Sequence, residues 1–465
     1  MKGILPFSFD AFLKETRKLI TIFVPILIAQ LAVTGLGVVD TIMSGRVGTN
    51  DLAAIGLGSS VLFPVMMIAI GTLMSLTSLV AKQEAKGDFQ SLGEYLSQGI
   101  WLAIPIGLLM WGVLTYADLF LKFLPLSQPV FHLTDDYLDY IAWGLPGLGF
   151  YFAYRFFWEG LSLTVPTMVI SLGALVLNIP LNAIFIYGWG PIKAYGAAGC
   201  GIASSIVMWS MLFAAIWFVY RRLARSPERQ EMDLSKFHPP KWQARIQPML
   251  AMGIPNSLAL LFEASLFSLI AILIVKLGTL AIAAHQVALS YSSLAFMLPI
   301  SISLAATIRS GQAYGKGSRL EVETRVYSAV IFAILVAIAT ALFTYFLRQP
   351  IVELYTENTQ VLQLAMSLLV IAALYQVFDA IQVTTAGALR GLHSTHTTMW
   401  VTLFGYWVVG LGGGYLLTFG SPYNAPMGVA GFWVGILLGF VFSAVALQIK
   451  MAHLIRHLNR KGELV

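Results

Sequence analysis

The chain has 465 residues, of which 58% are hydrophobic and only 11% charged. A soluble domain carries about 25% charged residues, so a water-soluble globule is excluded. The net charge of +6 does not indicate nucleic acid, because Lys and Arg stand in short blocks between apolar runs, where they report membrane topology.

The chain opens MKGILPFSFDAFLKETRK. Acids precede the first apolar run and no small-residue cleavage site follows, which reads as no removable signal peptide. Twelve apolar segments come next, at about 19–44, 54–82, 94–117, 134–158, 165–188, 196–220, 250–276, 282–311, 324–346, 359–386, 396–418 and 428–452. Each is long enough to cross about 30 Å of hydrocarbon as a helix. The short alternating segments of a membrane β-barrel are absent. The expected fold class is therefore all-α and integral to the membrane. Cys200 is the single cysteine, so no intrachain disulfide can form.

With both termini placed in the cytoplasm, 22 of the 28 Lys and Arg fall in inside loops. Only Arg46, Lys122, Lys193, Lys276 and Arg348 fall outside, and Arg155 stands near the end of a span. The excess of inside cations fixes the orientation. The longest polar stretch, RRLARSPERQEMDLSKFHPPKWQAR at Arg221–Arg245, divides the spans into two sets of six. Its mixed charge and three prolines suit an exposed linker. The expected organisation is a first lobe at 1–220, a cytoplasmic linker at 221–248 and a second lobe at 249–465.

The halves repeat. A shift of 230 residues places Pro25 on Pro255, Leu31 on Leu261, Gly48 on Gly278 and Ser60 on Ser290. The shift grows to 231 near Gly160 and Gly391, and to 232 near Gly199 and Gly431. Six spans return the chain to its starting side, so the two lobes share one orientation. They are expected to be related by a pseudo-twofold axis along the membrane normal, with substrate bound between them.

Three acids fall inside spans: Asp40, Glu263 and Asp379. A central Asp costs about 2.5–3.5 kcal/mol to insert, so such residues mark function by default. No deep Lys or Arg is expected to neutralise them, since Arg155 and Glu159 read as a local i,i+4 ion pair. Ionised, a buried carboxylate binds Na⁺ or an organic cation; neutral, it carries a proton. The repeat partners of Asp40, Glu263 and Asp379 are Ile270, Val33 and about Leu148, so the acids break the symmetry of their scaffold. Glu263 and Asp379 can share a site only if the tenth helix extends inward toward Arg390. Asn178 and Asn182 share a helix face at i,i+4, as do Tyr375 and Asp379. Gln30, Thr34 and Gln382 lie one or more turns from the acids.

Three stretches of the first half, VVDTIMSGRVGTNDLAAIGLG (38–58), LNIPLNAIFIYG (177–188) and GAAGCGIAS (196–204), carry a family resemblance. In the second half it is carried by IPNSLALLFE (254–263), HQVALSYSSLAFMLP (285–299) and YQVFDAIQVTTAGALRG (375–391). The chain resembles the multidrug and toxic compound extrusion family, and within it the NorM branch, over essentially its whole length. The resemblance implies two six-helix lobes and efflux of organic cations and drugs by alternating access, in antiport with Na⁺ or H⁺. It implies no cofactor, and a monomer in the inner membrane of a bacterium. On matching positions, Glu263, Tyr375 and Asp379 would form the second-lobe cation site, with Na⁺ held at Glu263 and Asp379. Asp40 would be the first-lobe acid, with Asn178 nearby; Asn182, Gln30 and Thr34 are its expected polar neighbours from their spacing in the sequence alone. Some relatives carry an acid where Asn182 stands, which leaves fewer charges in that lobe.

Two rival readings are weaker. A flippase for lipid-linked sugars needs a basic cavity, whereas these spans carry acids. A membrane-embedded enzyme needs a clustered nucleophile, base or metal site, and no HExxH, GxSxG or phosphate loop is present.

Overall fold

The computed structural model describes residues 8–124, 126–223, 232, 234, 236–420 and 425–460. Helices dominate them: α1 (Phe9–Gly45), α2 (Thr49–Leu73), α3 (Ser75–Lys86), α4 (Phe89–Thr115), α5 (Asp118–Leu121), α6 (Gln128–Ala142), α7 (Leu145–Gly160), α8 (Val165–Tyr187) and α9 (Ala197–Trp217). After the linker come α10 (Gln247–Ile274), α11 (Thr279–Ala295), α12 (Met297–Lys316), α13 (Arg319–Glu353), α14 (Thr359–Gly391), α15 (Thr395–Leu403), α16 (Gly413–Phe419) and α17 (Val429–Arg460). A nine-residue π-helical stretch, Phe404–Gly412, joins α15 to α16.

Among the described residues, eleven helical stretches are long and apolar enough to cross a membrane. They answer to eleven of the twelve expected spans, and the chain is a multi-pass membrane protein. The fourth span, expected at 134–158, is instead two helices of 15 and 16 residues, α6 and α7, meeting at Trp143–Gly144. The cause is local. Pro146 has no N–H to offer the carbonyl of residue 142 and its ring crowds it, so the helix restarts with proline in its first turn. Gly144 suits the corner because a Cβ there would strike the backbone of Ser205.

The repeat is written into backbone geometry. Gly87 and Gly317 end α3 and α12 in the left-handed region, where glycine carries no Cβ penalty. The next residues, Asp88 and Ser318, then cap α4 and α13 through their side chains. Ser162 and His393, 231 apart, share a positive φ of 60° and 61°. Tyr195 and Gly196 donate to the carbonyls of Phe185 and Ile186, as Met427 and Gly428 do to Leu417 and Thr418. The matching residues of the two halves thus make matching turns.

The chain forms two compact units. One is Val24–Ser257; the other is Leu258–Val465 with the opening of α1 up to Phe23. In the Val24–Ser257 unit, α4 packs on α7, α6 on α9 and α8 on α9. Of the linker expected at 221–248, residues 224–231, 233 and 235 lie outside the described residues. Its later part is bound to α4 rather than free. His238 donates its backbone N–H to Ser97, Gln98 brackets Pro239 and Lys241, and Glu94 pairs with Lys241 at 2.6 Å and Arg245 at 3.2 Å.

In the other unit, α14 is the central helix, packed by α11, α12, α13 and α17. The opening of α1 is held there by an ion pair. Arg309 donates to both oxygens of Glu15, at 2.5 and 2.6 Å, and both residues are buried. Removing one partner strands a buried charge. Glu15→Gln is therefore expected to lower unfolding stability in detergent by about 3 kcal/mol. A Glu15→Leu/Arg309→Leu double variant should regain most of that loss. Equal thermal midpoints for wild type and Glu15→Gln would contradict this role.

Candidate cation sites

The Leu258–Val465 unit carries two of the three intramembrane acids. Tyr375, Asp379 and Gln382 stand at i, i+4 and i+7 on α14, and so share one face. All three are buried. Gln382 donates from Nε2 to Asp379 Oδ1 at 3.0 Å. Helix α14 runs unbroken from Thr359 to Gly391, so the tenth span does extend through Arg390. Glu263, on α10, keeps part of its surface open and lies within electrostatic reach of both Asp379 and Arg390.

Arg390 corrects one expectation of the sequence. Placed among the loop cations there, it is 95% buried here, since only 5% of its surface is exposed, and it donates to Thr307 Oγ1 at 3.2 Å. A deep cation therefore does stand near Glu263. Eleven residues of helix, about 16 Å, separate Asp379 from Arg390 along α14, and Glu263 is within electrostatic reach of both.

Aromatic side chains close this site. The ring of Tyr375 stacks on Trp433 with centroids 5.9 Å apart and meets the edge of Phe440 at 5.4 Å. Tyr406, from the π-helical stretch, packs on Phe440 at 5.3 Å and lies close to Glu263, Asp379 and Gln382. Sequence reasoning missed Tyr406 and Trp433. With aromatics at 12% of the chain, nothing in the pattern singles them out.

The Val24–Ser257 unit builds a different site around Asp40. The carboxylate is buried and accepts from Asn178 at 3.1 Å, Asn182 at 2.6 Å and Ser204 at 3.3 Å. Asn182 also donates to Asn178 Oδ1 at 2.9 Å, and the Cys200 thiol faces the same acid. The structure thus brings Asp40, Asn178 and Asn182 together, and adds Ser204 and Cys200 from α9. Asn182 Oδ1 is buried and has no hydrogen-bond partner among the described residues. An orphan acceptor beside a carboxylate suits a bound cation.

Gln30 and Thr34 sit elsewhere. Thr34 Oγ1 donates to the Gln30 carbonyl on its own helix at 3.0 Å. The Gln30 side chain accepts from Arg155 at 3.4 Å. Arg155 also pairs with Glu159 at 2.8 Å, as the i,i+4 spacing implied. Both are buried, and Glu159 accepts a further bond from Thr167 at 3.0 Å. Ten residues of helix separate Gln30 from Asp40, about 15 Å.

A model of the MatE family matches residues 25–184 and 255–416. The chain belongs to the MatE family. The first matched stretch of this MatE chain contains Asp40, Asn178 and Asn182; the second contains Glu263, Tyr375 and Asp379. The chain is 40% identical over 442 residues to the multidrug resistance protein MdtK of Yersinia pseudotuberculosis serotype O:1b (strain IP 31758), covering 95% of this chain and 96% of that one. It is 39% identical over 444 residues to MdtK of Yersinia enterocolitica serotype O:8 / biotype 1B (strain NCTC 13174 / 8081), with the same coverage. Solved MATE structures share the fold. A MATE in its bent conformation superposes with a TM-score of 0.87 at 19% identity, over 96% of this chain and 97% of that one. The eukaryotic MATE transporter AtDTX14 gives 0.84 at 21% identity, over 96% and 99%.

Proposed function

We propose that this chain is a secondary multidrug exporter that expels organic cations in exchange for Na⁺ or H⁺ by alternating access. The observation that carries the reading is the pair of intramembrane acids, Glu263 and Asp379, within electrostatic reach of each other in a chain whose relatives over nearly full length are called multidrug resistance proteins. A carboxylate in the membrane interior binds a cation or a proton in turn, which is the requirement for exchange. Asp40, with Asn178 and Asn182, is a second acidic site of lower charge. Both termini face the cytoplasm in this reading, supported by the strong bias of Lys and Arg to inside loops. The functional form is a monomer in a bacterial inner membrane, needs no cofactor and performs no covalent chemistry.

Purified protein in proteoliposomes tests this directly. Tetraphenylphosphonium should move against its own gradient when a Na⁺ gradient, or separately a pH gradient, is imposed. Movement that only equilibrates the probe under both gradients would replace the exporter with a passive pathway.

A further inference from the structure

His285 is a buried titratable residue that the exchange reaction does not by itself require. It lies on α11 with 2% of its surface exposed. Its Nδ1 accepts the indole N–H of Trp433 at 3.2 Å, and the two rings meet edge to face at 5.7 Å. An imidazole that accepts at Nδ1 holds its proton at Nε2 when neutral. That Nε2 is buried and has no hydrogen-bond partner among the described residues. Histidine therefore leaves an uncompensated donor in the core, which an aliphatic side chain would not. What it offers in return is the Nδ1 lone pair that engages Trp433.

Trp433 in turn touches the cation site. It is fully buried on α17, and its ring lies nearly parallel to that of Tyr375, 26° apart in plane. Phe440, seven residues on and so on the same face of α17, meets the edge of the Tyr375 ring. The indole can rotate about its side-chain bonds; the bond to His285 selects one orientation. Tyr375 stands one helical turn from Asp379.

The repeat shows that packing alone does not ask for these residues. The partners of His285, Tyr375 and Trp433 at shifts of 230, 231 and 232 are Ile55, Gly144 and Gly201. Ile55 is as buried as His285. The same scaffold position thus accepts an aliphatic side chain in the half that lacks Glu263 and Asp379. The His–Trp–Tyr relay and the acid pair occur together, in one half only.

We propose that His285 is a positioning residue of the second-half cation site, acting through Trp433 to hold the Tyr375 ring beside Asp379. The inference rests on the reading of Tyr375 and Asp379 as part of that site.

The test is the initial rate of tetraphenylphosphonium export from proteoliposomes, measured against the concentration of whichever ion, Na⁺ or H⁺, drives the wild type. His285→Leu should raise the half-saturating ion concentration about fivefold, the worth of one hydrogen bond, with the maximal rate within about twofold. His285→Asn, whose Oδ1 can accept the indole N–H, should return it to within about twofold of wild type. Trp433→Phe should behave like His285→Leu, and the double variant should be no worse than either, because both cut the same link. Wild-type half-saturation in His285→Leu, or additive losses in the double variant, overturns the proposal. If His285→Leu does not fold, the comparison of His285→Asn with Trp433→Phe decides: equal impairment in both overturns it. Asp379→Asn is measured alongside. Intact coupling in that variant removes the site reading itself, whereas lost coupling with an unaffected His285→Leu removes only the role of His285.

Discussion

Asp379→Asn is expected to reduce ion-driven export by more than about a hundredfold, the equivalent of about 2.7 kcal/mol of lost coupling, and Glu263→Gln is expected to do the same. Asn has the volume of Asp and can still meet Gln382, which donates to Asp379 Oδ1 at 3.0 Å. The substitution thus removes charge and proton capacity while keeping shape. Glu263 is within electrostatic reach of both Asp379 and Arg390, so its charge is opposed by the acid and supported by the cation. Neutralising Asp379 removes the like charge that Glu263 faces, and neutralising Glu263 removes the acid that Arg390 supports. Asp40→Asn should cost less, because its carboxylate belongs to a separate site with Asn178 and Asn182. Initial rates in proteoliposomes, normalised to inserted protein, give the ranking. Full coupled transport by both second-half variants would falsify the two-acid site.

Much of this was visible in the sequence, for reasons that can be named. Apolar run length reports helices because the bilayer sets a minimum span, and eleven helical stretches among the described residues follow it. The break at Trp143–Gly144 escaped because proline is a poor guide inside a membrane. Pro25, Pro64, Pro105 and Pro180 all lie within continuous helices, where neighbouring groups can satisfy the freed carbonyls. The Gly-Leu-Pro corner, pressed against Ser205, is where a helix does stop.

The sites divide similarly. Asp40, Glu263 and Asp379 stand out as candidates because a carboxylate in an apolar run is costly to insert, and the meeting of Asn178 and Asn182 follows from helical spacing, which puts them on one face. Arg390 does not stand out. A cation in the last turn of a span reads as an inside charge, and the cover that α12 provides through Thr307 is invisible in one dimension. Gln30 failed in the opposite sense: it shares a helix with Asp40, yet its side chain meets Arg155. Tyr406 and Trp433 carry no marker, because their roles come from which rings they touch.

Gly160→Val and Gly391→Val should each prevent correct assembly, and for one shared reason. These glycines are repeat partners, and each lies where two helices meet. A Cβ on Gly160 would stand 2.7 Å from Val80 Cβ and 2.8 Å from the Thr77 carbonyl. On Gly391 it would strike the Thr307 carbonyl and Ser310 Oγ, closer still. Thr77 and Thr307 are themselves partners. Thr77 Oγ1 donates to the Phe156 carbonyl at 3.1 Å, and Thr307 Oγ1 to the Gly387 carbonyl at 2.9 Å. The same device therefore joins α3 to α7 and α12 to α14: a glycine that lets backbones approach, and a threonine that uses the approach to bond a carbonyl. A valine must push the helices apart, which breaks that bond as well as adding strain. Each variant should lose more than about 3 kcal/mol and give little monodisperse protein in detergent. Gly37→Ala is the contrast, because its Cβ would meet nothing within 4 Å and alanine is the better helix former by about 0.5–1 kcal/mol. Thermal unfolding in detergent should therefore place Gly37→Ala at or above wild type and both valine variants far below it. Similar midpoints for Gly391→Val and Gly37→Ala would mean that the close approach of α12 and α14 is not what holds this half together.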